Sequence, residues 1–297
     1  MDLHQLEIFI QVASLKSFSR TAEHLFISQP TVSSRIKTLE QELGAPLLDR
    51  NHPEGIALTE LGREFLDYAQ EMLNVRDRAI NRLNKTDKVF GHFHIGASTV
   101  PGCYILPQIL SDYCLSNPEV KVDVTIRDTS QVLMGILSYD FDIGMVGNKE
   151  EGNQLNYTKV AEDELVLITA TGLFSPEGYI SGDVIPLSVC RHKVWLIRET
   201  GSATRSVLEK ALLEKGEELK TFSRTMFIDS LEGIKHAVRW GMGVSVVSRR
   251  SVEDYINMGY LDYYIIRELD LKRAFYLVFH RHRVLSAAVI NFLNNLS

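Results

Sequence analysis

The 297-residue chain is 45% hydrophobic and 24% charged with a formal net charge of −6, the balance of a globular protein with two or three domains rather than a disordered or fibrous one. No apolar run approaches the ~18 residues of a membrane span, and the N-terminus has neither the basic start nor the apolar stretch of a signal peptide. Three cysteines without CxxC spacing indicate neither a disulfide framework nor a zinc site, so the expectation is a cytoplasmic protein with no cofactor and no membrane partner.

Leu3, Leu6, Ile10 and Ala13 space out a first helix. Ala22, Leu25, Ile27, Val32, Ile36 and Leu39 then form an apolar set that can pack two short helices joined by a tight turn. Ser17 and Ser28 stand where N-caps belong, and Pro30 falls in the first turn of the second helix, where its missing N–H costs little. The other face of that second helix presents Ser28, Gln29, Pro30, Thr31, Ser33, Ser34, Arg35 and Lys37. Such groups can reach base edges and phosphates in a major groove. A helical hairpin with a merely solvated polar face is the competing reading. Charge does not decide between them, because this region is not globally basic; local placement of Arg35, Lys37 and Arg50 matters more.

From Pro46 to Leu58 short apolar pairs flank the turn cluster Asn51–Gly55, as in a β-hairpin wing, with Arg50 placed for a backbone or minor-groove contact. Thr59 caps a long helix to about Asp87. Its stripe of Leu66, Ala69, Leu73, Arg76, Ile80 and Leu83, widened by Phe65, Met72 and Ala79, is apolar except at Arg76. A lone helix of ~40 Å would expose that stripe, so pairing with a second copy is expected, the alternative being that it lies on its own chain. Lys85–Lys88 and Gly91 read as a hinge.

Two flanks and four later segments carry a resemblance. Met1–Phe9 before the helix pair, and Pro46–Arg50 with Ala57–Gly62 after it, make the N-terminus similar to the winged helix-turn-helix of the LysR-type transcriptional regulators. Looser matches follow at Ile95–Ser98, Phe141–Gly144, Arg198–Arg205 and Val238–Val244. The resemblance implies an α/β fold with an N-terminal winged helix-turn-helix (1–58), a linker or dimerisation helix (59–88) and a two-lobed effector-binding domain (89–297), similar to periplasmic solute-binding proteins. Lobe I would take about 89–161 and 267–297, and lobe II about 162–266, with crossings near Val160 and Tyr263–Arg267. It also implies double-stranded DNA, a small-molecule effector and a second copy of the chain (dimer or tetramer) as partners, with RNA polymerase a further one.

The residues of that domain alternate strands with helices. Strands are expected at Phe93–Ala97, Val120–Arg127, Phe141–Val146, Glu164–Thr169, Val194–Ile197, Thr225–Ile228, Val244–Val247 and Phe275–His280. Helices are expected near Ile105–Ser116, Gln131–Tyr139, Thr204–Lys215, Leu231–Trp240 and Leu285–Leu296. This rhythm predicts parallel sheets covered by helices. Ligands bind such lobes at strand C-termini, and three loops there carry hydroxyls: Ser98 and Thr99; Thr129 and Ser130; Ser202 and Thr204. Each alone reads as a cap, but together they suit a small oxyanion or carboxylate, with Arg205 a further charge. In family terms these loops match the effector pocket, and hydroxyl-rich versions resemble regulators that respond to sulfur oxyanions.

Other chemistry is weaker. His92 and His94 share a strand face without a third ligand and read as solvated edge residues. His280–Arg283 reads as a solvated loop, and Cys103 and Cys114 as buried structural thiols among apolar neighbours. No Gly-x-Ser-x-Gly elbow or phosphate loop occurs. The expectation is a DNA-binding regulator set by an effector, with no catalytic or metal site. A small-molecule receptor without DNA function and an α/β enzyme with an added helical domain are the alternatives.

Overall fold

A computed structural model describes all residues except Asn51, Pro53, Glu54, 84–88, Glu151, Ser223 and Ser297, and the side chains of Asn74, Asp77, Arg78 and 81–83. The expected hinge at Lys85–Lys88, most of the wing's turn and the Leu83 side chain therefore lie outside the described residues.

The N-terminal unit is built from α1 (Leu3–Leu15), α2 (Phe18–His24), α3 (Gln29–Leu43), β1 (Leu48–Asp49), β2 (Ala57–Leu58) and α4 (Glu60–Leu83). Its helix starts are set locally. Ser17 accepts from the Arg20 amide, Ser28 from the Thr31 amide and Thr59 from the Gly62 amide. Asp2 and Gln5 form a reciprocal box on α1. Ala22, Val32, Ile36 and Leu39 are buried, with Leu25 and Ile27 packed against them. The inner face of α1 is Leu6, Ile8, Phe9 and Val12, whereas Leu3 is exposed. β1 and β2 pair antiparallel, Leu48 opposite Leu58.

One expectation changes here. The stripe of α4 is not left open along its length, because Leu66 and Ala69 are buried in the core of the helix-turn-helix, with Phe65, Met72 and Leu73 packed against it. Arg76, the break in the stripe, reaches Glu7 of α1 at 2.5 Å. Farther along, Val75 and Ile80 are exposed, as Leu61 and Tyr68 are earlier on the helix.

The remaining chain forms β3 (Gly91–Ser98), α5 (Thr99–Tyr104), α6 (Leu106–Ser116), β4 (Val120–Arg127), α7 (Thr129–Leu137), β5 (Ile143–Val146), β6 (Leu155–Ala170), β7 (Val184–Ile185), α8 (Leu187–Cys190), β8 (Val194–Ile197), α9 (Ala203–Leu213), β9 (Arg224–Phe227), α10 (Leu231–Arg239), β10 (Ser245–Ser248), α11 (Glu253–Asn257), β11 (Leu261–Ile266), β12 (Lys272–His280) and α12 (Ala287–Asn294). The sheets are mixed rather than parallel. β3 lies parallel to β4 and β5, but β12 runs antiparallel to both β5 and β6, and β6 antiparallel to β10 and β11. The cause is the sixteen-residue strand β6. Its first half pairs with β12 in lobe I and its second half with β10 and β11 in lobe II, so one strand serves both lobes.

β12 makes the return crossing, opposite β6 from Lys272–Glu164 onward. This is later than the expected Tyr263–Arg267, because β11 there is still a lobe II strand and Leu269 and Leu271 belong to the lobe II core. A register shift between Phe275 and Tyr276 marks the junction. β4 is an edge strand, and Val124 and Ile126, on one face of it, remain exposed.

The start of α4 is held tightly against the wing root. A Cβ on Gly62 would stand 2.0 Å from the Leu47 carbonyl oxygen, a backbone atom that cannot turn aside. Gly62→Ala is therefore expected to lower stability by about 1–3 kcal/mol in chemical denaturation; wild-type stability would show that helix and wing are not packed this closely.

Candidate DNA-binding face and effector cleft

Ser28, Gln29, Pro30, Thr31, Ser34, Arg35 and Lys37 are all exposed on one side of α3, and Ser33 is half-buried beside them. Their availability differs. The Ser28 and Thr31 hydroxyls bond each other at 2.7 Å as part of the cap. Arg35 pairs with Asp2 at 3.1 Å. Arg50 pairs with Glu40 at 3.0 Å and lies over the Phe18 ring, while the other Glu40 oxygen accepts from the Leu47 and Leu48 amides. Among the described residues the Gln29, Ser34 and Lys37 side chains carry no such internal tie. Phe26, in the turn, has φ +54° and is 95% exposed.

Between the lobes, β3, β12 and the starts of α7 and α9 enclose a small cleft. It is lined by Ser98, Thr99, Asp128 and Thr129 from lobe I, Arg198, Ser202 and Thr204 from lobe II, and Arg273 and Phe275 from β12. Five of the six expected hydroxyl residues thus meet. Ser130 does not line the cleft and stands beside Gly201. Ser98 and Ser202 occupy N-cap positions, yet neither hydroxyl bonds a helix amide; only Asp128 acts as a cap, accepting from the Gln131 amide. The free space, ≈ 20 Å³ measured to the centre of a water-sized sphere, suits one or two waters or a compact ion.

The charge in the cleft comes from residues the sequence reading passed over. Arg198 is buried, held by Glu199 at 2.7 Å, with Thr99 Oγ1 3.4 Å away. Arg273 donates from Nε to Asp163 Oδ2 at 2.8 Å and from Nη1 to Thr204 Oγ1 at 3.2 Å. Its Nη2 is buried without a partner, as is the Thr129 hydroxyl. Burial pulls the Arg273 pKa down and Asp163 opposes this, while the nearby Arg198 charge pulls it down further. An anion between them would relieve both effects. A basic pair, Lys272–Arg273, set between Leu271 and Ala274–Phe275 was the available signal. Arg205, considered as an added charge, instead pairs with Glu209 at 2.8 Å and bonds Thr200.

Several side expectations also change. His92 and His94 lie on an internal strand, since β3 has β4 and β5 on its two sides. His92 pairs with Asp123, and His94 bonds Thr125 and packs edge-on to Phe141, with burial lowering its pKa. His280 and Arg283 are buried rather than solvated. Cys103 and Cys114 are exposed and Cys190 is buried; partial burial pushes the Cys103 thiol up, away from the reactive thiolate. Among the described residues no group of three metal-ligating side chains occurs, and no helix is long and apolar enough to cross a membrane.

The chain matches the family model for the bacterial regulatory helix-turn-helix protein of the lysR family over residues 3–63 and that for the LysR substrate binding domain over residues 87–297. It belongs to the LysR family of transcriptional regulators. The family is one of regulators, not enzymes. A probable RuBisCO transcriptional regulator of Trieres chinensis is 30% identical over 99% of this chain and 96% of its own length. The uncharacterized HTH-type transcriptional regulator YeiE of Escherichia coli K12 is 30% identical over 98% and 96%. A full-length OxyR variant from Pseudomonas aeruginosa shares the fold, with TM-score 0.72, 19% identity and coverage of 100% and 94%. The regulatory domain of CcmR from Synechocystis PCC6803, solved with 2-PG, superposes with TM-score 0.61 at 23% identity over 69% of this chain and 95% of that domain.

The unpaired hydroxyl of Thr129 makes a prediction about this LysR regulator without ligand. Thr129→Val preserves shape and removes a buried polar group that lacks a partner, so the apo protein should gain about 1–3 kcal/mol. Loss of stability in a denaturant titration would mean that the hydroxyl is bonded.

Proposed function

We propose that this regulator reads a DNA site with the exposed face of α3 and the wing, and that a small oxyanion or carboxylate in the interlobe cleft sets that activity. The observation that carries the effector reading is the buried Arg273 guanidinium, with one unpartnered nitrogen in a cleft also lined by five hydroxyl residues, Arg198 and the Asp128 that caps α7. A compact anion accepts from guanidinium and hydroxyl donors alike, each charge-assisted bond contributing ~1.5–3 kcal/mol. The narrow space favours an ion over a bulky aromatic effector. That the CcmR domain was solved with 2-PG supports a small-molecule effector in this domain.

On α3, Gln29, Ser33 and Ser34 are assigned to bases, and Thr31, Arg35 and Lys37 to phosphates or guanine edges, with Ser28 and Pro30 setting the helix entry and Arg50 on the backbone. Two copies pair through the exposed part of α4 around Val75 and Ile80. The earlier Leu73 is committed to the chain's own core.

The anion reading is tested by thermal unfolding of the full chain with sulfate, sulfite, phosphate and glycolate. A ligand at a hundred times its Kd stabilises by ~2.7 kcal/mol, and Thr204→Val should abolish the rise in Tm; a flat response to every anion would favour an apolar effector. In gel shifts with the chain's own upstream region, Gln29→Ala should weaken the cognate site by ~1–3 kcal/mol and relax one base position, whereas Lys37→Ala weakens all duplexes alike. Wild-type affinity in both variants would remove the α3 assignment, and no binding by the wild type would favour a receptor without DNA function. Ile80→Asp should yield monomers in analytical ultracentrifugation, because it places a charge in the apolar seam; a persistent dimer would put the interface elsewhere.

A further inference from the structure

The DNA-binding unit and lobe I of the same chain meet at a small charged contact. Tyr139 and Asp140, just beyond α7, supply the lobe I side. Lys16 Nζ, at the end of α1, lies 2.8 Å from Asp140 Oδ1. The Tyr139 hydroxyl donates to Asp67 Oδ2 of α4 at 3.3 Å and is 3.2 Å from His280 Nδ1 at the end of β12. Arg283 lies over the Tyr139 ring and bonds the Phe141 carbonyl at 2.8 Å and the Asp142 carboxylate.

Both partners in this contact hold uncommon backbone. Lys16 has φ +49° and Tyr139 φ +64°, conformations that side chains other than glycine adopt at some expense and that persist where surroundings over-determine them. The Tyr139 turn is closed by Asp140 and Phe141 amides on the Gly135 carbonyl, and Phe141 stacks so close to Gly135 that a Cβ there would stand 2.4 Å from its ring. Asp67 is half-buried with Oδ1 unpartnered, and that burial pushes its pKa up to about 6 against the opposing influence of Arg283, the Tyr139 hydroxyl and His282. A carboxylate held this way gives up solvation while the contact is closed.

Two elements run from this contact to the cleft. α7 begins at Asp128 and Thr129 in the cleft and ends at the Tyr139 turn, ~13 Å away along its nine residues. β12 carries Arg273 in the cleft and His280 at the contact. The two cleft atoms without partners, Thr129 Oγ1 and Arg273 Nη2, thus belong to the two elements that run to Tyr139: α7, which ends just before it, and β12, whose His280 bonds its hydroxyl.

We propose that Tyr139 and Asp140 latch the DNA-binding unit to lobe I of its own chain through Asp67 and Lys16, and that an anion in the cleft acts on this latch through α7 and β12. The second half rests on the anion reading given above; the latch itself does not. Tyr139 and Asp140 are positioning residues that touch neither DNA nor effector.

The test uses the full chain with sulfate as probe. It compares wild type, Tyr139→Phe, Lys16→Asp, Asp140→Lys and the Lys16→Asp/Asp140→Lys swap. Sulfate affinity by calorimetry should stay within about twofold in all five, which a merely structural defect would not allow. Sulfate should change wild-type affinity for the upstream duplex about fivefold or more. That change should fall below about twofold in the three single variants and return in the swap, which restores the ion pair in reverse. Single variants that respond like wild type, or a swap no better than its parents, overturn the proposal. If sulfate and the other anions fail to bind wild type, the anion reading falls, and small-angle scattering then judges the latch alone. The single variants should be more expanded than wild type and the swap as compact; identical profiles overturn it.

Discussion

The arrangement of this regulator depends on one buried ion pair, Arg273–Asp163, formed where β6 and β12 cross between the lobes. The two side chains are 4% and 1% exposed. Asp163 also accepts from Ser248 of β10, and Arg273 donates to Thr204 of α9, so the pair ties the crossing strands to lobe II. Removing either partner would strand a buried charge, at about 3–5 kcal/mol, whereas a well-packed apolar pair in the same volume is often neutral or better. Stability alone therefore does not explain a guanidinium here. On the anion reading proposed above, its spare nitrogen supplies the positive charge for which the site would be retained.

From that pair the rest of the geometry follows. Because β6 pairs with β12 along its first half and with β10 and β11 along its second, the two lobes share a continuous strand, with a register shift between Phe275 and Tyr276 where they join. Each lobe brings helix starts and hydroxyls to the crossing, and the space between is too small for more than a compact ligand. The same strand β12 continues to His280, which bonds the Tyr139 hydroxyl, and that hydroxyl in turn donates to Asp67 of the DNA-binding unit. α7 and β12 thus both run from the cleft to the Tyr139 contact with the DNA-binding unit, a contiguous packed path of the kind that coupling between sites requires.

The long helix shows how one sequence stripe can serve two purposes. Its first turns complete the helix-turn-helix core through Leu66 and Ala69, which three short helices could not close alone. Its later turns leave Val75 and Ile80 open. A heptad-like pattern reads the same in both parts, so the sequence suggests one continuous seam where the structure divides it.

What the sequence determined by itself was local. The caps at Ser17, Ser28 and Thr59, the 3.6-residue apolar spacing and the wing are set by neighbours a few residues apart, and all were legible. The cleft hydroxyls were legible as a set, because strand C-termini gather in this kind of fold. Tertiary structure alone decided which charges join them. Arg198 and Arg273 become buried only when distant segments close around them, and Arg205, similar by sequence, turns to Glu209 on its own helix. The exposure of Val124 and Ile126 on β4 and that of Cys103 and Cys114 depend on what packs nearby, as does the burial of His280 and Arg283. Periodicity records which side chains share a face; only the folded chain decides whether that face is covered, and by what.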